Sequence, residues 1–268
     1  MPIQMLSAFR EHKTLVKQLL VREISSRYRG SILGVIWSLI TPILMLCIYT
    51  FVFKYIFNAK WQMPSSDGEV LSFAMVLFLG LIIHGMLADV LTRSPGLMLE
   101  NVNLVKKVIF PLEILPWVIL LSALFNFVIG FCLLIGFVYI ELDYIPVTTL
   151  LVPVILAPYV LMLLGLSWTL AALGVYVRDI QQLSGTLATL LLFLSPVFYS
   201  ITLLPETLQR LILINPIAVI VEASRSAVIY GEHPDYTVLV IYSVLALIVA
   251  VVGFTLFQRM RRGFADVL

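Results

Sequence analysis

Arg27 and Arg29 flank Tyr28 directly ahead of an uninterrupted apolar run that reaches Phe53. A guanidinium presents its N–H donors as a planar fork, so two of them can grip an anionic head group through charge-assisted, bidentate hydrogen bonds. The same arginines can equally be snorkelling anchors at a bilayer surface, and both readings stand. Glu222 and Arg225 lie at i and i+3, the spacing of a pair on one helical face, serving either structure alone or the lining of a pore. Inside apolar runs the ionisable residues are His84 and Asp89, with Lys54 near an outer end. Such residues are functional candidates by default, but this set is thin for proton or sodium coupling. Asp89 has Arg93 as an i, i+4 partner, and His84 is expected to hydrogen-bond a neighbouring helix.

Other chemistry is missing. No Gly-Lys dipeptide occurs, so no Gly-rich phosphate loop ending in Lys is present, and His-Glu-x-x-His, Cys-x-x-Cys and Gly-x-Ser-x-Gly are absent as well. No metal site and no catalytic residue is expected. Cys47 and Cys132 both fall inside apolar runs and read as small buried hydrophobes.

The elements that must position these residues are membrane helices. The chain is 61% hydrophobic and only 12% charged, against about 25% charged in soluble domains, and its mean hydropathy is +1.07. A spanning helix needs about 20 apolar residues. Six runs qualify, at 32–57, 70–91, 114–139, 148–177, 183–200 and 236–257, the fifth being the shortest. Period-two alternation is absent, which excludes barrel strands. The predicted fold is an all-α integral membrane protein of one domain, 1–268. It comprises an N-terminal amphipathic interfacial helix within 1–31, spans one to five over 32–200, two short re-entrant helices over 201–235, a sixth span over 236–257 and a tail over 258–268.

Basic residues orient the bundle. Of 17 Lys and Arg, all but Lys54, Lys60, Arg210 and Arg225 fall in residues 1–31, the second loop, the fourth loop or the tail. Both termini are therefore expected in the cytoplasm. The N-terminal apolar run is too long for a signal peptide and lacks a small-x-small cleavage site.

Between the spans, Val16, Leu19, Leu20, Ile24 and Tyr28 recur at helical spacing opposite most of the basic residues, as in a helix lying on the cytoplasmic leaflet. In the second loop, Val102, Val105 and Ile109 share a face, Asn101 or Asn103 can cap, and Pro111 stops the chain. This predicts a short amphipathic helix whose apolar face needs a partner, although a solvated loop is the plainer alternative. Residues 201–235 are too apolar for an ordinary loop and too short to cross twice, which predicts two helices broken at Asn215-Pro216. Aromatics crowd the outer half of the first span. They form either an interfacial belt or a stacking surface for sugar rings. Gly80, Gly85, Gly165 and Gly174 are expected at close helix contacts.

Taken together, the chain resembles the permease subunits of ABC exporters for polysaccharides, the O-antigen, teichoic-acid and capsule class. The resemblance rests on Arg27-Tyr28-Arg29-Gly30-Ser31-x-Leu33-Gly34-x-x-Trp37-Ser38, on Asn103-Leu104-Val105-Lys106-Lys107 with Phe110-Pro111, on Arg178-Asp179-Ile180, on Ser195-Pro196-Val197-Phe198-Tyr199 and on Asn215-Pro216. One departure is Thr41 before Pro42, where the family carries Asn.

The resemblance implies a homodimer bound to two copies of a separate ABC ATPase in the bacterial inner membrane. ATP and Mg belong to that partner, with no cofactor on this chain and no nucleic acid involved. It implies export of a lipid-linked polysaccharide, carried on polyprenyl pyrophosphate, from the cytoplasmic to the periplasmic side. Arg27, Tyr28 and Arg29 then meet the head group. Trp37, Tyr49, Phe53, Phe57, Phe198 and Tyr199 line the glycan conduit. Glu100, Asn103, Leu104, Val105, Lys106, Lys107, Phe110, Arg178 and Asp179 couple to the ATPase. Asn215, Pro216, Glu222 and Arg225 form the gate. The residues leave two rivals, an ABC permease for a drug or simple lipid and an ATP-independent transporter or membrane-embedded transferase.

Overall fold

Lipid offers no hydrogen-bond partner to a backbone amide, so apolar runs this long satisfy themselves as helices. The structure is a computed structural model and describes residues 9–27, 29–57, 60–62, 70–106, 110–201, 205–212 and 215–268. Among these, five helices are long and apolar enough to cross a membrane: Gly34–Phe53, Phe73–Arg93, Leu112–Leu142, Val147–Tyr176 and Tyr236–Val267.

Helix α1 (Lys13–Arg27) leads into a one-turn 3-10 segment and α2 (Trp37–Tyr49), which continues as a π-helical stretch, Thr50–Ile56. A two-stranded antiparallel ribbon follows, β1 (Lys60–Gln62) against β2 (Val70–Ser72), with Trp61 opposite Leu71. The hydropathy pattern did not announce this ribbon. Next come α3 (Phe73–Arg93), the one-turn α4 (Leu97–Glu100) and α5 (Val102–Val105), and then α6 (Leu115–Leu142), α7 (Val152–Tyr176) and α8 (Ile180–Leu194). The chain closes with α9 (Glu206–Ile212), α10 (Ala218–Arg225) running into a π-helical Ser226–Tyr230, α11 (Tyr236–Met260) and α12 (Phe264–Val267).

Local chemistry sets several boundaries. Pro116 and Pro153 sit in first helical turns, where the missing N–H costs nothing. Asp235 caps α11 by accepting hydrogen bonds from the Thr237 and Val238 amides at 2.8 and 3.2 Å, a contribution of about 1 kcal/mol. The expected fifth span is shorter than its apolar run. Its helix stops at Leu194 because Pro196 pushes Ser195 into extended backbone (ψ 150°). Fifteen residues rise only about 22 Å, less than the ~30 Å hydrocarbon core.

Small residues let the central helices touch. A Cβ on Gly165 of α7 would stand 2.6 Å from the Ala250 Cα of α11, and one on Gly174 would strike the Pro95 backbone. Gly80 is covered by Val197, whereas Gly85 faces open space, so three of the four expected contact glycines serve packing. His84 reaches the α8 carbonyl of Ala188 at 3.0 Å, as expected. Cys47 and Cys132 are exposed on outward faces rather than buried, because both lie on helix sides that no other described element covers.

Charge pairing sorts the bundle into two ends. At one end lie Arg27–Asp89, Glu23–Arg93 and Glu113–Arg261, together with the Tyr176 hydroxyl donating to the Met260 carbonyl. At the other, Thr148 donates to the Ala227 carbonyl and Trp61 to the Tyr230 hydroxyl. The N-terminal helix, the second loop and the C-terminal tail therefore share one end.

Candidate functional site

The first cluster forms where α1 meets the end of α3. Arg27 Nη2 donates to Asp89 Oδ2 at 3.0 Å, and Asn126 Nδ2 of α6 converges on the same oxygen at 3.4 Å. Both charged side chains are about a quarter exposed. One turn away Arg93 pairs with Glu23. The expected Asp89–Arg93 pair therefore does not form. Each residue reaches across to α1, because i, i+4 spacing permits a local pair and a facing helix with the opposite charge order offers two. Arg29 is exposed and Tyr28 lies outside the described residues.

Behind this cluster is a cavity of about 400 Å³ between the first three spans. Arg27, Asp89 and Asn126 stand at one end, and Trp37, Tyr49, Phe78 and Phe127 line its body. Trp37 and Tyr49, at the two ends of α2, thus line one cavity, while the other proposed conduit residues lie elsewhere. Phe53 packs on Phe57 at 5.8 Å and on Phe73 at 4.7 Å, and Phe198 stacks on Phe193 at 5.5 Å. Tyr199 is half-buried just beyond. The helix α1 is not laid on lipid alone. Val16 and Leu19 are buried against the bundle, and the Phe9 ring lies 4.8 Å from Trp117.

The second cluster is built on α10. Arg225 is fully buried, pairs with Glu222 at 2.7 Å, donates to the Val197 carbonyl at 3.0 Å and lies 4.9 Å over the Trp61 ring. Burial pushes the Arg225 guanidinium down and the Glu222 carboxyl up, and their mutual attraction opposes both shifts. Asn215 accepts from the Ile217 amide at 3.1 Å and donates to the Ser195 hydroxyl at 2.9 Å. Tyr242 donates to the Pro216 carbonyl at 2.9 Å. The Ser195-Pro196-Val197 and Asn215-Pro216 segments are thus brought against one another through hydrogen bonds.

The third cluster is the second loop. Of the expected amphipathic helix the described residues show one turn, α5, set off from α4 by Asn101, which departs from helical geometry (ψ 33°) and sends its side chain back to the Leu97 carbonyl at 2.9 Å instead of capping forward, while Val108 and Ile109 lie outside the described residues. Val105 is buried and Leu104 half-buried against the chain's own core, while Glu100, Asn103 and Lys106 are exposed. Phe110 is half-buried, and Lys107 lies outside the described residues. The loop touches the start of α8, since a Cβ on Gly96 would stand 3.3 Å from the Gln181 amide nitrogen. Exposed Arg178 and Asp179 immediately precede that start. The loop and the α7–α8 turn therefore form one surface.

Asp89 as partner to Arg27, the converging Asn126 and the open space beside Gly85 escaped sequence reasoning. Asp89 did stand out as a charge within an apolar run; its partner lies 62 residues away.

Residues 14–229 match the family described as ABC-2 type transporter. The chain is 27% identical over 270 residues to the O-antigen export system permease protein RfbA of Myxococcus xanthus, covering 98% of this chain and 99% of the relative. It is 24% identical to the protein of that name from Klebsiella pneumoniae, covering 92% of each. With the polysialic acid transport protein KpsM of Escherichia coli it shares 26% identity, over 94% of this chain and 95% of the relative.

Proposed function

Because the chain belongs to the ABC-2 type transporter family, we propose that it is the membrane permease subunit of an ATP-driven polysaccharide exporter. The observation that carries this reading is end-to-end similarity to relatives named for O-antigen export and polysialic acid transport. Two copies of the chain assemble with two ATPase subunits, which bind ATP and Mg and hydrolyse the nucleotide. The substrate is a lipid-linked glycan moved outward across the bacterial inner membrane, with both termini of this chain in the cytoplasm.

The geometry supports a division of labour. Exposed Glu100, Asn103, Lys106, Arg178 and Asp179 offer one polar platform to the ATPase at the end that also holds the basic N-terminal helix. Arg27 and Arg29 meet an anionic head group there. At the opposite end the Arg225–Glu222 pair, Asn215 and Pro216 brace re-entrant helices that act as the outer gate. Phe53 and Phe57 adjoin that gate through Phe73 and Trp61, which lie 5.6 Å apart. Phe198 and Tyr199 complete the aromatic surface over which sugar rings slide.

Deleting the gene tests the reading. The expected result is loss of surface glycan with lipid-linked glycan accumulating on the cytoplasmic side, and copurification of an ATPase with the tagged chain. Transport by the chain alone in vesicles lacking ATP would overturn it.

A further inference from the structure

The cavity between the first three spans changes character along its length. Its mouth carries Arg27, Asp89 and Asn126, and its body is walled by Met45, Phe78 and Phe127 among other apolar groups. We propose that it is a slot for the apolar chain of a single-chain lipid anion, whose charged head displaces Asp89 from Arg27. The proposal rests on the reading of Arg27 as a head-group ligand and adds where the chain lodges and what the head must replace.

Three observations carry it. The volume of about 400 Å³ lies in the range of sites that enclose small molecules, ~300–1,000 Å³. From Phe78 to Asp89 the lining follows α3 for about 17 Å, a length that suits an extended chain. At Gly85 no atom lies within 4 Å of a would-be Cβ, whereas Val197 and Ile82 occupy the corresponding space at Gly80 and Gly130.

The wall is mostly apolar, with Met45, Phe78, Leu81, Ile82, Met86 and Phe127 outnumbering the hydroxyls of Thr41 and Tyr49, and so suits a chain better than a sugar. Ser38 spends its hydroxyl on the Val35 carbonyl at 2.7 Å, and the methionines offer a deformable thioether surface suited to an irregular apolar guest. The mouth selects an anion. Arg27 Nη2 and Asn126 Nδ2 converge on one oxygen of Asp89, so an anionic oxygen that takes its place inherits both donors. Asp89 is thereby an internal counter-ion, holding the guanidinium oriented and competing with the ligand.

The test places Gly85→Cys in the full chain on a Cys47→Ala, Cys132→Ala background, reconstituted in phosphatidylcholine vesicles and modified with a maleimide. Dodecyl phosphate, dodecanol and inorganic phosphate are the three probes. Dodecyl phosphate is expected to protect the thiol at about tenfold lower concentration than dodecanol, the margin of a charge-assisted hydrogen bond, and inorganic phosphate is expected not to protect. Asp89→Asn is expected to strengthen protection by dodecyl phosphate. Arg27→Gln is expected to reduce it to the level of the alcohol, with Arg27→Lys intermediate as a control for folding. Equal protection by alcohol and phosphate ester, protection by inorganic phosphate, or no protection overturns the slot. Surface glycan on cells carrying the same variants reports separately on the export reading: glycan export without thiol protection removes the slot alone.

Discussion

Arg27 and Asp89, 62 residues apart, are joined at 3.0 Å, and one turn away on the same two helices Glu23 and Arg93 pair in the reverse charge order. The two pairs staple the N-terminal helix to the end of the second span, and reversed order makes the match specific, since sliding either helix by a turn opposes like charges. Partly exposed pairs of this kind contribute about 1 kcal/mol or less each.

Exchanging the charges tests the staple. Asp89→Arg alone is expected to lower Tm by a few degrees and expose α1 to limited proteolysis. Arg27→Asp combined with Asp89→Arg is expected to recover most of the loss. A double variant no better than the single one removes the pair from the account of α1 docking.

The pair on α10 differs in that Arg225 is fully buried. Arg225→Met removes the counter-charge of the partly exposed Glu222 carboxyl and the donor to the Val197 carbonyl, and is expected to lower stability. Glu222→Met with Arg225→Met is expected to be less damaging than Arg225→Met alone. Thermal unfolding in detergent measures the order of the three proteins.

Glycines separate by what surrounds them. Gly174→Ala is expected to yield aggregated protein, since its Cβ meets the Pro95 backbone, which cannot swing away. Gly85→Ala, placed in open space, is expected to give a monodisperse peak on gel filtration.

In the second loop, Val105→Asp is expected to lower the yield of folded protein because Val105 is buried in the chain's own core. Asn103→Asp or Lys106→Glu, both exposed, is expected to weaken ATPase copurification by several-fold with folded yield intact. The opposite pattern would place the docking surface elsewhere.

Orientation is measured with an impermeant thiol reagent on the Cys47→Ala, Cys132→Ala background, needed because both native thiols are exposed. Ser66→Cys is expected to react from outside, and Asn103→Cys only after permeabilisation.

The residues themselves determined the membrane class, the helical fold and the positions of nearly every span. Twenty apolar residues without alternation have one stable form in lipid, a local property that needs no knowledge of neighbours. Motif order also determined the family resemblance. Ser195-Pro196 even encodes the early stop of α8, because the conformational restriction before proline is likewise local.

Only the tertiary structure decided who partners whom. Asp89 had a local candidate in Arg93 and took Arg27 instead. Val105 had an amphipathic pattern suited to a partner subunit and turned into its own core. The two cysteines, indistinguishable by hydropathy from buried ones, face outward. In a chain this apolar, side-chain periodicity distinguishes poorly between lipid, a sister helix and a cavity, since all three are apolar surroundings. Packing geometry separates them, through contacts such as Gly165 on Ala250 and the open space beside Gly85.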